Sequence, residues 1–490
     1  MARGSHRDVN SPLSGGLLIA GDRVTRSSGG AHQHIYPATG QPNASVQLAG
    51  TAEIDDAVAS GWRAHREWMS LTADRRREKL IDLADAVHDD LDELARLNVH
   101  DYAVPISLAG NAILLERFLR HFAGYVDKPH GISTPVAESF DVNLVEREPY
   151  GVVGVITPWN GALVVIASCV APALAAGNAV VLKPSEVAPF AALRFGELCI
   201  AAGLPAGLVN VVPAGPEGGD ALVRHPGIRK VHFTGGAATA RKVLVAAAAN
   251  LTPVVAELGG KSAMIVFDDA DLDAAAMLSA HQGPLIQSGQ SCACASRVLV
   301  HESVYDAFAE RLVGVVKNAK AGDPLDPGVV FGPVISRAAA DRIIAEIDDA
   351  VASKAGELLT GGSRLSGELA AGYYIEPTVF GGVDNASPLA QTETFGPVVS
   401  LMKFSSEAEA VRIANDTPYG LNAFVQTRDL TRAHRMARRL EAGSVWINTF
   451  SDISPQGPYG GFKQSGFGRT GGVDGLYEFL QPKNIRIGMG

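Results

Sequence analysis

The spacing of apolar positions changes character along the chain. Over residues 53–100 it follows a helical period. In REKLIDLADAVHDDLDELARL (77–97), Leu80, Leu83, Ala84, Val87, Leu91 and Leu94 share one face and acidic residues the other, which predicts a packing helix through this run. From residue 151 short apolar runs take over. GVVGVITPW, AVVLKPSE, GLVNVVPA, RKVHFTGG and VVAELGG each begin as a buried strand. Between them APALAAGN, PFAALRFGELCIAAGL, a stretch near 218–225 and ATARKVLVAAAANL read as helices. Short apolar strands alternating with helices predict an α/β fold with a parallel, doubly wound sheet. The alternation restarts near 263 with SAMIVFDDADL, a helix around 271–280 and SRVLVHESVYDAFAERL, a second α/β unit. NIRI (484–487) alternates too briefly to make a sheet alone, so the tail is expected to pair elsewhere, as such tails often do on another subunit, and 138–149 reads as a second such strand.

Composition narrows the class. With 47% hydrophobic and 19% charged residues over 490 positions, the chain is globular and too long for one simple core. A formal charge of −10 argues against nucleic acid or an anionic membrane as the main partner. No apolar run approaches ~20 residues, so no membrane-spanning helix is expected. The opening MARGSHRDVNSPLSGG lacks the order of a secretory signal and reads as a flexible leader. Cys169, Cys199, Cys292 and Cys294 show neither disulfide-framework nor zinc spacing, which predicts a reduced, cytoplasmic compartment and no metal.

Doubly wound sheets bind ligands at the carboxyl ends of their strands, and TPWN (157–160), KPSE (183–186), FTGG (233–236) and ELGG (257–260) all fall there. FTGG could present backbone N–H groups to a phosphate, although an ordinary tight turn explains it too. Lys183 and Glu186 could bind the two hydroxyls of a ribose, or form a loop ion pair. Cys292, in Gly-Gln-Ser-Cys (289–292), could attack a carbonyl carbon, and Glu257 could activate water against the resulting thioester. A buried structural thiol is the alternative for Cys292. Asn160 could donate to an oxyanion or cap a helix.

In order, TPWN, KPSE, FTGG, ELGGKS (257–262), GQSC, ETFGPV (393–398) and PYGGFKQSGFGR (458–469) resemble the aldehyde dehydrogenase superfamily, from about residue 17 to the end. The resemblance implies a Rossmann-like cofactor domain, an α/β catalytic domain and a small β bridging element for oligomerisation. The matching boundaries are 1–130 with 151–259, then 260–450, then 131–150 with 471–490. It implies Cys292 as nucleophile, Glu257 as base and Asn160 as oxyanion donor. It places NAD, with NADP as an alternative, on Thr157, Trp159, Lys183, Ser185, Glu186, Gly215, Phe233, Thr234, Gly235, Gly236, Leu258 and Gly259. Glu393 and Phe395 would hold the nicotinamide ribose, a role that only the resemblance supplies. A homodimer or homotetramer is implied as well.

The departures from the family pattern carry information. Gly236 replaces the usual serine of the phosphate turn, Ala240 a glycine that ends it, and Gln287 an asparagine before the nucleophile. Cys169 stands where a lysine is usual and Thr470 where its glutamate partner is frequent, so both members of a buried pair are absent together. Gly161 and Ser168 replace frequent aromatics. With Val165, Ser291 and Ala293, and with Phe450, Ile453 and Tyr459 opposite, they predict a wide tunnel for a bulky apolar aldehyde, aromatic or terpenoid-like. The activity expected is NAD(P)+-dependent oxidation of that aldehyde to the acid. The rivals are a CoA-acylating dehydrogenase, disfavoured by Glu257, and a non-catalytic scaffold or binder, disfavoured by the intact Cys292, Glu257 and Asn160.

Overall fold

The computed structural model describes residue 13, residues 15–109 and residues 112–489; most of the leader read at 1–16 lies outside them. Runs of Val, Ile and Ala too apolar to face water form the centre of an eight-stranded sheet. Its order is Asp22–Val24, Leu17–Ile19, Val209–Val211, Ala179–Lys183, Val152–Ile156, Lys230–Thr234, Val254–Glu257 and Gly466–Phe467. The five strands from Val209–Val211 to Val254–Glu257 are parallel. The chain enters at Val152–Ile156, winds outward to Val209–Val211, then crosses back to Lys230–Thr234 on the other side. That reversal opens a crevice at the carboxyl ends, where TPWN, KPSE and FTGG sit.

A seven-stranded sheet follows: Glu357–Thr360, Thr378–Gly381, Val398–Phe404, Arg297–His301, Ala263–Val266, Asn422–Gln426 and Ser444–Ile447, parallel except at the first pairing. One apolar cluster surrounds the first sheet, and two others, around Phe380 and around Phe424, cover the faces of the second. Val254–Glu257 is the last parallel strand of the first sheet and Ala263–Val266 begins the second, so ELGGKS is the tether between them. Glu257 is carried to the junction by that connectivity.

Three expectations change. The run 77–97 is two helices, Ala73–Asp89 and Leu91–Tyr102. The break falls at Asp90, whose carboxylate accepts from both Nε and Nη2 of Arg194 at 2.7 and 2.6 Å, a tertiary contact invisible to periodicity. The small-residue helix begins well before APALAAGN, running from Ala162–Val165 through a wider π turn, Ile166–Val170, to Ala171–Ala175. The tail does not wait for another subunit: Leu480–Ile487 pairs antiparallel with Val142–Pro149 of its own chain, and Ile132–Thr134 completes a three-stranded sheet. Among the described residues no helix is long and apolar enough to cross a membrane.

Candidate active site

The loop before the thiol is held in an expensive shape. Gln287 (φ 47°), Ser288 (φ 55°) and Gly289 (φ 71°) are consecutively left-handed, which costs about 1–3 kcal/mol at each non-glycine residue. Surrounding contacts fix it. Ser288 Oγ donates to the Gly332 carbonyl at 2.6 Å, and the Gln290 amide nitrogen donates to the carbonyls of Gln287 and Pro333 at 2.9 and 3.2 Å. The backbone N–H of Ile335 donates to Gln290 Oε1 at 2.8 Å. At Gly289 any Cβ would run into the Gly396 carbonyl, so only glycine permits this approach of the thiol loop to ETFGPV.

Cys292 is half-buried at the end of this loop, Ser291 is half-buried beside it and Ala293 is buried. Burial pushes its thiol up to about 12, with the charge of Glu393 and then that of Glu257 adding to the effect. The Tyr459 hydroxyl lies 3.9 Å from Sγ and acts in the opposite direction. Glu257 is 5% exposed and neither carboxylate oxygen has a hydrogen-bond partner among the described residues. Its carboxyl is therefore held well above the usual carboxylate range by burial. Asn160 Nδ2 donates to the Gln290 carbonyl at 2.8 Å, so the amide is tied to the thiol loop and keeps a second N–H to spend. The structure thus brings Cys292, Glu257 and Asn160 to one junction.

The crevice residues form a second group. Lys183 is buried, with Nζ 3.7 Å from Glu186 Oε2; this is an ion pair but no hydrogen bond, so both ends keep capacity for a ligand. Ser185 Oγ donates weakly to the same carboxylate at 3.5 Å. The helix Ala237–Ala248 starts at Gly236, and no side chain among the described residues caps its first N–H groups; a side chain at Gly236 would meet no atom within 4 Å. The Gly235 N–H donates to the Glu257 carbonyl at 3.0 Å, and Thr234 lies in register with Glu257, joining the FTGG turn to the base. Phe233 is buried beneath this turn, and Gly215 opens the helix Pro216–Arg224 beside it. Thr157 Oγ1 is buried without a partner at the end of the central strand.

Toward the second sheet, Glu393 accepts from the Gly260 N–H at 2.9 Å. A Cβ at Gly259 would overlap that carboxylate, which fixes glycine there. Leu258 is buried between them. Phe395 takes φ 48° and meets the Trp159 ring edge-on at 5.7 Å. A small recess lined by Gly260, Ser291, Glu393 and Phe395 lies here. An uncapped helix start, an ion pair with spare capacity and an orphaned hydroxyl on one crevice suit a dinucleotide.

The tunnel residues are less tightly grouped. Gly161 has open space where a Cβ would stand, and Val165 is half-buried one turn on. Ser168 is buried in the π turn and returns its hydroxyl to the Val165 carbonyl at 3.4 Å. Tyr459 is buried against the thiol, Ile453 is half-buried and Phe450 is 56% exposed, at the outer surface.

Sequence reasoning missed Asn422, Gln290 as the clamp of the loop, and Tyr102, which accepts from Gln287 Nε2 at 3.4 Å and meets the Trp159 ring. Gln290 stood inside a quoted motif; Asn422 and Tyr102 left no local signal.

Comparison with known proteins bears on the whole arrangement. Residues 24–485 match the model of the aldehyde dehydrogenase family. A Burkholderia cenocepacia protein, provisionally named an aldehyde dehydrogenase, is 40% identical over 97% of both chains with a TM-score of 0.94. PnpE from Pseudomonas sp. WBC-3 is 38% identical over 97% of this chain and 98% of its own, at a TM-score of 0.94, and PnpE is also known in complex with nicotinamide adenine dinucleotide. Betaine aldehyde dehydrogenase from Staphylococcus aureus, in complex with NAD+, is 35% identical over 97% of this chain and 95% of its own, at a TM-score of 0.93. With the family model spanning nearly its full length, this chain belongs to the aldehyde dehydrogenase family.

Proposed function

We propose that the chain oxidises an aldehyde to its carboxylic acid with NAD+, by the hydrolytic route. The observation that carries this reading is the unpartnered, buried Glu257 carboxylate beside the half-buried Cys292 thiol. Burying a carboxylate without a partner is costly, and a base for hydrolysis is what that cost would serve. A CoA-acylating enzyme or a scaffold would have no use for it.

The Cys292 thiolate forms a C–S bond to the carbonyl carbon, and the carbonyl electron pair moves to oxygen. Asn160 donates its free N–H to that oxyanion, its other N–H being held by Gln290. NAD+, when bound, supplies the acceptor for the hydride that leaves the carbon. Glu257, as carboxylate, takes a proton from water; the water oxygen attacks the thioester carbon, the C–S bond breaks, and acid and thiolate separate. Lys183 and Glu186 bind the adenosine ribose, the open start of Ala237–Ala248 binds the diphosphate, and Glu393 and Phe395 hold the nicotinamide ribose. Glu186 favours NAD over NADP, since its charge opposes a 2′-phosphate. Residues 1–130 with 151–259 serve as cofactor domain, 260–450 as catalytic domain, and 131–150 with 471–490 as bridging element of a homodimer or homotetramer. Four free thiols accord with a reducing, cytoplasmic setting. The open space at Gly161 favours a bulky apolar aldehyde.

Rapid mixing of enzyme, NAD+ and benzaldehyde tests the assignment. Cys292→Ala is expected to form no NADH. Glu257→Gln is expected to keep a burst of one NADH per site and lose about 10²–10⁴-fold in steady turnover. Equal loss of burst and turnover would move Glu257 to an earlier step. The same assay with NADP+ checks Glu186, where a preference for NADP+ contradicts its role.

A further inference from the structure

The groups around Cys292 pose a difficulty. Glu393 from the 393–398 segment and Glu257 from the end of Val254–Glu257 both oppose a negative sulfur. Cys294, on the same loop, turns its thiol to the Gly283 carbonyl at 3.5 Å, and Lys261 acts on Cys294 and Glu393. Two groups favour a negative sulfur: the Tyr459 hydroxyl, 3.9 Å from Sγ and able to donate or accept there, and the backbone of Cys292 itself.

That hydroxyl is aimed. Asn422, 3% exposed in the strand Asn422–Gln426, places Nδ2 3.2 Å from Tyr459 Oη. An amide nitrogen only donates, so it occupies a lone pair of Oη and leaves the hydroxyl proton for another acceptor. The phenol is also rigidly held. The Tyr459 N–H donates to the Thr470 carbonyl at 2.7 Å, the Thr470 N–H returns to the Tyr459 carbonyl at 2.8 Å, and the ring lies 6.4 Å from Trp446. Burial holds the phenol well above its usual range, so it keeps its proton.

We infer that Tyr459 is a catalytic hydrogen-bond donor to the Cys292 thiolate and that Asn422 is the positioning residue that aims it. The inference rests on Cys292 being the nucleophile. Tyr459 transfers no proton; it stabilises the sulfur anion before attack and again as the thioester breaks. A tunnel wall alone would need an apolar ring, not a hydroxyl with its own buried amide.

The test uses the full chain, without cofactor for alkylation and with NAD+ for turnover. Iodoacetamide alkylation of Cys292, followed by mass spectrometry across a pH series, reads the thiolate directly. Tyr459→Phe keeps the ring and is expected to move the profile up by about one pH unit, roughly tenfold less thiolate at a fixed pH. Single-turnover NADH formation should fall by a similar factor with KM unchanged. Asn422→Ala should shift the profile the same way by less, and should add nothing in a Tyr459→Phe background. An unchanged profile in Tyr459→Phe with a raised KM overturns the inference and leaves Tyr459 as wall. A downward shift in Asn422→Ala overturns it as well, because the amide would then be drawing the hydroxyl away from sulfur. Survival of activity in Cys292→Ala is a separate failure, that of the nucleophile assignment itself.

Discussion

Ionising Glu257 inside the fold is opposed first by burial and further by Glu478, with Arg469 acting the other way. The folded chain therefore binds this proton more tightly than the unfolded chain, whose carboxyl sits near 4.5. Stability from the protonated form is complete below that value and is lost as pH rises through the raised folded value. Glu257→Gln has no charge to bury. Its advantage in unfolding free energy should be small near pH 4 and grow toward pH 8, to about 1–3 kcal/mol. Urea titrations of both proteins across that range read the difference, and a gap that is flat with pH would mean that Glu257 is not ionised against burial. Greater stability with lost turnover is the expected trade at a catalytic base. At this scale the sequence was unevenly legible. Cys292 and Glu257 were recognisable because each sits in a motif whose chemistry is local. Asn422 was not, because its role exists only once the second sheet brings it under Tyr459.

Among the elements, the helical run from Ala162 to Ala175 does most to shape the substrate side. It opens at Gly161, whose φ of −175° lies outside the left-handed region and whose missing side chain leaves free space. A π turn interrupts it at Ile166–Val170, a distortion common at functional sites, and there Ser168 and Cys169 are buried. Cys169 lies 3.3 Å from Nε2 of His232, and burial keeps both groups uncharged, so the contact is a neutral thiol–imidazole one. Gly161→Leu should fill the free space without straining the backbone. The ratio of kcat/KM for benzaldehyde or citral over acetaldehyde is expected to fall about tenfold, the worth of one or two buried methylenes. If acetaldehyde is already the best substrate of the unaltered enzyme, the wide-tunnel reading fails. The strands and helices from 151 onward were legible because a buried parallel strand is a bare apolar run. The three-residue strands Leu17–Ile19 and Asp22–Val24 were not, being too short to show a period, nor was the hairpin of Ala31–Tyr36 with Gln41–Gln47, being of mixed polarity. The helix break at Asp90 was illegible because Arg194, more than a hundred positions on, makes it.

For the whole molecule, the small sheet is the feature without an occupant. Leu480–Ile487 satisfies one edge against Val142–Pro149, and its other edge carries unpaired backbone groups. Around the sheet Phe140 is 98% exposed, Met489 63%, Ile132 58% and Ile487 47%, a grouping of apolar side chains that a lone chain gains nothing by exposing. A second chain laid along this sheet would cover the open edge and the Ile487 side chain on it, which is why an interface is expected here. The full chain should sediment as a dimer or tetramer. Ile487→Glu puts charge beside that edge without touching the pairing register, and should dissociate the assembly while leaving the fold intact by circular dichroism. Removing residues 480–490 should do more, since it strips the partner from Val142–Pro149 and the Lys483–Glu148 and Arg486–Asp141 ion pairs, leaving a raw edge prone to aggregate. A full chain that sediments as a monomer would remove the reason for placing an interface on this sheet, and the exposed Phe140 would then need another partner.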